Sequence, residues 1–160
     1  MTDYHMRRKE KEISDPALLR EILRRGKWTS IALCEDDEPY VVSLSYGFDA
    51  ERKALYFHCA RTGRKVDACR ANPAACATVV EDLGYRAGEC EQGYRSLVLH
   101  GSLHVVEDLE EKKHGIQVLL GHLEEDPASF LDRLLPTDDK YEKLGVLRFD
   151  IRSMTGKQGD

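Results

Sequence analysis

The longest alternation of apolar and polar positions in the chain runs over residues 94–106. Leu97, Leu99, Leu103 and Val105 share one side with Gly101, and Val98, His100, Ser102, His104 and Val106 share the other. A period of two is that of a strand with a core face and a more polar face. Gly101 marks a bend or bulge at its middle. Shorter strand-type runs occupy residues 28–34, 40–48, 54–59, 74–81 and 144–151. The turns Glu35-Asp36-Asp37-Glu38 and 49–53 punctuate the first three, and connections this short make them an antiparallel meander. Residues 82–93 read as a long, glycine-containing loop, of the kind that is often functional or meets a partner subunit.

Helices fall between these runs. Ser14-Asp15-Pro16 sets a capping side chain before a proline at the first helical position, and Ala17, Leu18, Leu19, Ile22 and Leu23 form one apolar stripe that Gly26 ends. Gly63 opens a second helix to about Ala71, which Asn72-Pro73 stops. Two more are expected over 109–123, capped by Asp108, and over 128–135, before Pro136. Residues 1–12 and 153–160 read as loose tails. The pattern predicts one domain over 1–160, mainly β (α+β), with about six antiparallel strands forming a small barrel under flanking helices.

Composition narrows the function classes. A chain of 160 residues with 41% hydrophobic and 33% charged positions holds a core without staples and is too apolar for a disordered chain. A net charge of -5 argues against a nucleic-acid-binding surface. No apolar run approaches the ~20 residues that span a bilayer, and residues 1–10 carry no apolar signal-peptide core; a cytoplasmic protein is expected. Five cysteines in irregular spacing, without a CxxC pair, suit neither a disulfide framework nor a structural zinc site. No GxGxxG follows a strand, so a Rossmann dinucleotide site is not expected.

The segment that carries chemistry is Leu55-Tyr56-Phe57-His58-Cys59-Ala60-Arg61-Thr62-Gly63-Arg64-Lys65. A strand ends, a loop turns, and a helix starts with Gly-Arg-Lys. Helix N-termini present free N–H groups and the positive end of the dipole, and so bind phosphate. Arg64 and Lys65 add full charges, and arginine clamps phosphate with two parallel hydrogen bonds. Positive charge in a first helical turn opposes the macrodipole, a conflict that a bound anion removes. A solvated basic helix start is the competing reading of the same residues.

The chain resembles the FMN-binding split-barrel superfamily that contains pyridoxamine 5'-phosphate oxidase, and within it the nitroimidazole-resistance (Nim) proteins. The resemblance rests on Met6-Arg7-Arg8-Lys9 with Glu12-Ile13, on the run from Pro39-Tyr40 through Tyr46-Gly47-Phe48, on Leu55-Tyr56-Phe57-His58 through Gly63-Arg64-Lys65 with Asn72-Pro73, and on Tyr94-Arg95-Ser96 with Gly101 and the later Thr155-Gly156-Lys157-Gln158. It implies a six-stranded antiparallel split barrel that forms a homodimer with FMN at the subunit interface. Val41, Val42, Ser43 and Leu44 would lie along the flavin ring, His58 and Cys59 would contact it, Gly63, Arg64 and Lys65 would hold its phosphate, and Ser96 would reach it from the other subunit. The implied activity is a flavin-dependent oxidoreductase that takes electrons from a donor such as NAD(P)H and reduces a small organic, nitroaromatic-type substrate, with His58 as the catalytic residue beside the ligand. The substrate segment with Arg and His that follows the last strand in true pyridoxamine phosphate oxidases is missing here. Related barrels hold haem or a deazaflavin, so a non-catalytic FMN- or haem-binding protein is the alternative.

Other residues read more plainly. His100 and His104, at i and i+4 of a strand, stand ~13 Å apart and cannot share one metal ion; either alone could ligate haem. No metal site is expected. Basic neighbours could lower the pKa of Cys59, and Cys90 lies in the long loop, whereas Cys34, Cys69 and Cys76 look like packing positions. Trp28, Tyr46 and Phe48 read as core-filling. The acidic clusters 35–38 and 107–111 read as solvated charge.

Overall fold

A computed structural model describes residues 6–159 of the chain. After a 3-10 turn over Lys9–Lys11 come β1 (Glu12–Ile13), α1 (Pro16–Arg25), β2 (Trp28–Glu35), β3 (Glu38–Ser45), β4 (Gly47–Asp49), β5 (Ala54–Cys59) and α2 (Arg64–Ala71). The second half holds β6 (Ala74–Arg86), β7 (Glu91–Val105), α3 (Leu109–Leu123), α4 (Pro127–Leu134), α5 (Asp138–Glu142) and β8 (Gly145–Gly159). All strand pairs are antiparallel, in the order β3-β2-β6-β7-β8-β5-β4, with β1 on β8.

Among the described residues the sheet has eight strands rather than six. The run expected as one strand over 40–48 is two: after Ser45 the chain leaves β2 and pairs instead with β5, at the opposite edge of the sheet. Tyr46 marks the crossing. Its ring is fully buried and its hydroxyl donates to the Leu23 carbonyl at 2.7 Å, which fastens α1 to the split. The expected loop 82–93 is a continuation of the β6–β7 ladder out to Arg86 and Glu91, turning tightly over 87–90. The expected tail 153–160 is strand as far as Gly159, with Ser96 opposite Lys157 and Tyr94 opposite Gly159. Residues 1–5 of the other expected tail lie outside the described residues, while Glu12–Ile13 is ordered as β1.

The helix starts follow the capping rules. Asp15 Oδ1 accepts from the Ala17 N–H at 2.8 Å, and Asp108 Oδ1 from the Glu111 N–H at 2.8 Å. Side chains of Ile31, Leu33, Leu55, Phe57, Leu97, Leu99, Leu103, Leu147 and Phe149 fill the barrel. Ile22 and Leu23 of α1 close it on one side, and Val66, Ala68 and Cys69 of α2 pack into the same core. A second cluster lies outside the barrel wall, where α3 sets Ile116 and Leu120 on Ala54, Tyr56 and Val146. β5 is therefore buried on both faces, except at His58. On the outer side of β3, β2, β6 and β7, by contrast, Trp28, Val41, Val80 and Val98 are exposed. Trp28 thus departs from the core role expected of it, because its position in β2 points outward, while Tyr46 is buried and Phe48 partly so.

A polar network ties α3 to the wall. Arg148 donates to Glu111 at 2.6 Å and to Asp150 at 2.7 Å; the Tyr56 hydroxyl donates to Glu111 at 3.2 Å; and His114 Nε2 lies 2.7 Å from Asp49 Oδ2. Burial alone would raise both carboxyl pKa values. The N–H of Arg52 and the His114 ring reverse this at Asp49, and Arg148 and Tyr56 reverse it at Glu111, so both end below their ordinary values. A carboxyl depressed on folding stabilises the fold above its unfolded pKa of ~4, and that stabilisation is lost as pH falls through the folded value. Denaturant midpoints are therefore expected to fall on acidification below ~pH 4.5, and Glu111→Gln to flatten the fall while lowering the midpoint near neutrality.

Candidate functional site

The expected phosphate loop runs from the end of β5 into α2. Gly63 is the residue before the helix, at φ 120° and ψ 170°, a backbone conformation essentially reserved for glycine. A Cβ here would touch nothing within 4 Å, so it is the dihedral rather than space that requires glycine. Among the described residues no side chain caps α2; the Gly63 carbonyl accepts from the N–H of Val66 and Asp67 at 2.8 and 3.1 Å. The N–H groups of Arg64 and Lys65 precede these and have no carbonyl within the helix to reach, as at any helix start.

Arg64 reaches across to the β2–β3 hairpin. Its guanidinium lies 4.6 Å from the centre of the Tyr40 ring and 3.7 and 3.6 Å from carboxylate oxygens of Glu35 and Glu38. The stretch 35–38, read as merely solvated charge, therefore faces the basic helix start. The ion pairs are long and half-exposed, a class worth ~1 kcal/mol at most. The Tyr40 ring adds a cation–π contact that restrains the guanidinium. Lys65, partly buried, makes no ion pair among the described residues.

The other expected residues divide by strand face. In β3, Val41 and Ser43 point outward and are exposed, whereas Val42 and Leu44 pack against the barrel core. Ser43 Oγ is 2.9 Å from Ser30 Oγ on the neighbouring strand. In β5, His58 is exposed and Cys59 is buried in the barrel core, so the two side chains leave the strand on opposite faces. Burial raises the Cys59 thiol pKa, with Lys65 as the smaller opposing influence; the expected lowering by basic neighbours is reversed. Cys69 is likewise pushed up, to about 11, chiefly by burial. Both thiols are held in the unreactive form.

Ser96 lies on the outer face of β7, in register with Val80 and Lys157. β2 and β6 lie between β7 and β3 in the sheet order, so within one chain Ser96 stands across the outer face from the β3 residues. The fold thus gathers His58, Gly63, Arg64 and Lys65 around one loop, with Tyr40 beside it, and leaves Ser96 apart on the open face. Tyr40, Glu35 and Glu38 were not expected at this site; nothing in their spacing announces that the hairpin folds back on α2. His104 Nε2 lies 2.9 Å from Ser102 Oγ, and no group of three His, Cys, Asp or Glu side chains able to hold a metal occurs among the described residues. Nor is any helix among them long and apolar enough to cross a membrane.

An antiparallel barrel opened between β3 and the β5–β4 edge, with helices over one side, is a split barrel. Solved structures share this fold. A candidate 5-nitroimidazole antibiotic resistance protein from Bacteroides thetaiotaomicron matches with TM-score 0.78 at 22% identity, over 92% of this chain and 86% of its own. The FAD and heme binding protein of Mycobacterium smegmatis matches with TM-score 0.78 at 17% identity, over 94% and 74%. A flavocytochrome from Azotobacter vinelandii matches with TM-score 0.79 at 18% identity, over 98% and 73%. No curated protein shows a significant sequence match. The family model for pyridoxamine 5'-phosphate oxidase matches residues 15–158, and the chain belongs to that family.

Proposed function

We propose that this protein is a flavoprotein that binds FMN between two copies of the chain and reduces a small organic acceptor, a nitroaromatic compound being the expected kind. The observation that carries the reading is the start of α2: a Gly63 dihedral only glycine adopts, free N–H groups, an arginine held over the Tyr40 ring, and a lysine with no ion pair among the described residues. These residues fit a single terminal phosphate, which is what FMN carries. Arg64 would exchange its long contacts with Glu35 and Glu38 for a paired hydrogen bond to phosphate. β3, an edge strand, offers backbone N–H and C=O groups to the polar rim of a flat ring.

The open outer face supports the second copy. Trp28 and Val41 are 59% and 61% exposed, and around them lie the small side chains Ser30, Ala32 and Thr78. An exposed sheet face of apolar and small side chains of this kind suits an interaction surface. A second copy on it would bring its Ser96 to the site that one chain leaves incomplete. When bound, FMN supplies the two-electron chemistry that links a donor such as NAD(P)H to the acceptor. His58, exposed beside the phosphate loop, would orient the acceptor or hand it a proton. A cytoplasmic location suits such a protein.

His58 also favours the second reading, a non-catalytic FMN- or haem-binding protein. Its ring is exposed and has no partner among the described residues, as an axial ligand would require. Absorption spectra after gel filtration, with FMN and separately with haem, decide between them. Flavin bands eluting with a dimer, bleached by NAD(P)H and restored by a nitroaromatic, are the expected result. A retained flavin with no acceptor-dependent turnover leaves the binding protein, and a Soret band without flavin replaces FMN by haem.

A further inference from the structure

The β2–β3 hairpin that faces Arg64 turns through four consecutive acidic residues, Glu35-Asp36-Asp37-Glu38. Glu35 and Glu38 close the ladder as directly opposed partners, which sets two like charges side by side and works against the pairing. Asp36 and Asp37 between them both take positive φ, 49° and 64°. Asn-Gly would serve such a turn at least as well. Local structure therefore does not call for acid at these positions. What distinguishes them is their place: the guanidinium of Arg64 lies 3.7 Å from Glu35 and 3.6 Å from Glu38.

On the other side of Glu35 is a cleft of about 460 Å³, lined by Cys34, Glu35, Asp36, Asp37, Ala71 and Asn72. Ala71 is the last residue of α2 and Asn72 its C-cap, so the negative end of the helix dipole opens on this cleft. The hairpin thus lies along α2, meeting Arg64 at one end of the helix and Ala71 and Asn72 at the other. The two ends have opposite character. Gly63, Arg64 and Lys65 attract phosphate, whereas the carboxylates and the helix C-terminus repel it. β3 repeats the order: the residues expected beside the flavin ring, Val41 to Leu44, are followed toward the turn by Tyr40 under Arg64 and then by Glu38.

We infer that the acidic turn 35–38 sets the specificity of the proposed flavin site: it admits a flavin that ends in one phosphate and rejects one that continues into a second nucleotide. The inference rests on the FMN reading and adds to it the residues that exclude FAD. A single phosphate spends its charge on Arg64, Lys65 and the free N–H groups of α2. Once Arg64 turns to phosphate, Glu35 and Glu38 stand beside it without their cation. The second phosphate of FAD would bring a further negative charge against them, and its adenosine would have to pass the same turn. The cleft beyond Glu35 offers room, so the exclusion comes from repulsion rather than from lack of space.

FMN and FAD, titrated separately by calorimetry into the flavin-free protein, test this. The parent is expected to bind FMN at least ~10-fold more tightly than FAD, and added salt should narrow the ratio by screening the repulsion. The double change Glu35→Gln with Glu38→Gln keeps side-chain size and should tighten FAD relative to FMN by ~10-fold. Asp36→Asn with Asp37→Asn suits the positive φ and leaves the Arg64 contacts in place; it should move the ratio the same way by ~3-fold. A parent that binds FAD as tightly as FMN, or a ratio that neither double change moves, would overturn the filter while leaving the FMN site standing. A parent that binds neither flavin would overturn the flavin reading and the filter with it.

Discussion

Arg64→Ala is expected to weaken FMN binding by ~10–100-fold, the equivalent of losing a charged hydrogen-bond partner worth ~1.5–3 kcal/mol. The guanidinium already lies over the Tyr40 ring and is held near Glu35 and Glu38 by contacts too long to compete with phosphate. Little side-chain freedom remains to be lost on binding, so most of the interaction would appear as affinity. Arg64→Lys should recover only part of it. Lysine keeps the charge but loses the planar fork and the stacking on Tyr40. Quenching of flavin fluorescence on titration measures all three proteins. An unchanged affinity in Arg64→Ala would remove the phosphate role from this loop.

Gly101→Ala should cost ~3 kcal/mol or more, at the upper end of overpacking changes, and lower the melting temperature by ~6–12 °C. The register of β7 against β8 shifts between His100 and Gly101, which brings the backbone of β8 against the glycine. An added Cβ would sit 1.9 Å from the Asp150 carbonyl oxygen and 3.1 Å from the Phe149 ring. The first obstacle is backbone and cannot rotate away. Relief requires the bulge to open, which would also shift Asp150 away from Arg148 and loosen the network that anchors α3. Circular dichroism melts report the loss, and a melting temperature within a degree or two of the parent would show that the bulge yields easily.

The bulge itself was legible, because a glycine interrupted an otherwise regular alternation. So were the helix starts, where Asp15 and Asp108 announce themselves by chemistry that acts within a few residues. The broken strand at Tyr46 was not. Residues 40–48 are uniformly strand-forming, and only the distant Leu23 carbonyl and the edge of β5 explain why the chain changes partners there. The later half of β8 was hidden for a different reason. Its buried positions include Gly156 and Gly159, which have no side chain to signal burial. At the site, the basic helix start was visible as a local motif. The opposite facing of His58 and Cys59 follows from strand geometry alone, but the resemblance assigned both to one ligand. The approach of Glu35, Glu38 and Tyr40 depends on tertiary folding, which no spacing encodes.

β8 pairs with β7, β5 and β1, and its contact with β1 joins Glu12 to Lys157. On the ribosome, the strands made earlier therefore wait for it with β5 and β7 unpaired on one side. Such non-local closure is slow, on the millisecond-to-second scale of β-rich domains. During that interval the nascent protein exposes bare strand edges, the kind of surface prone to aggregate, and how long they stay bare follows from where this one strand falls in the order of translation.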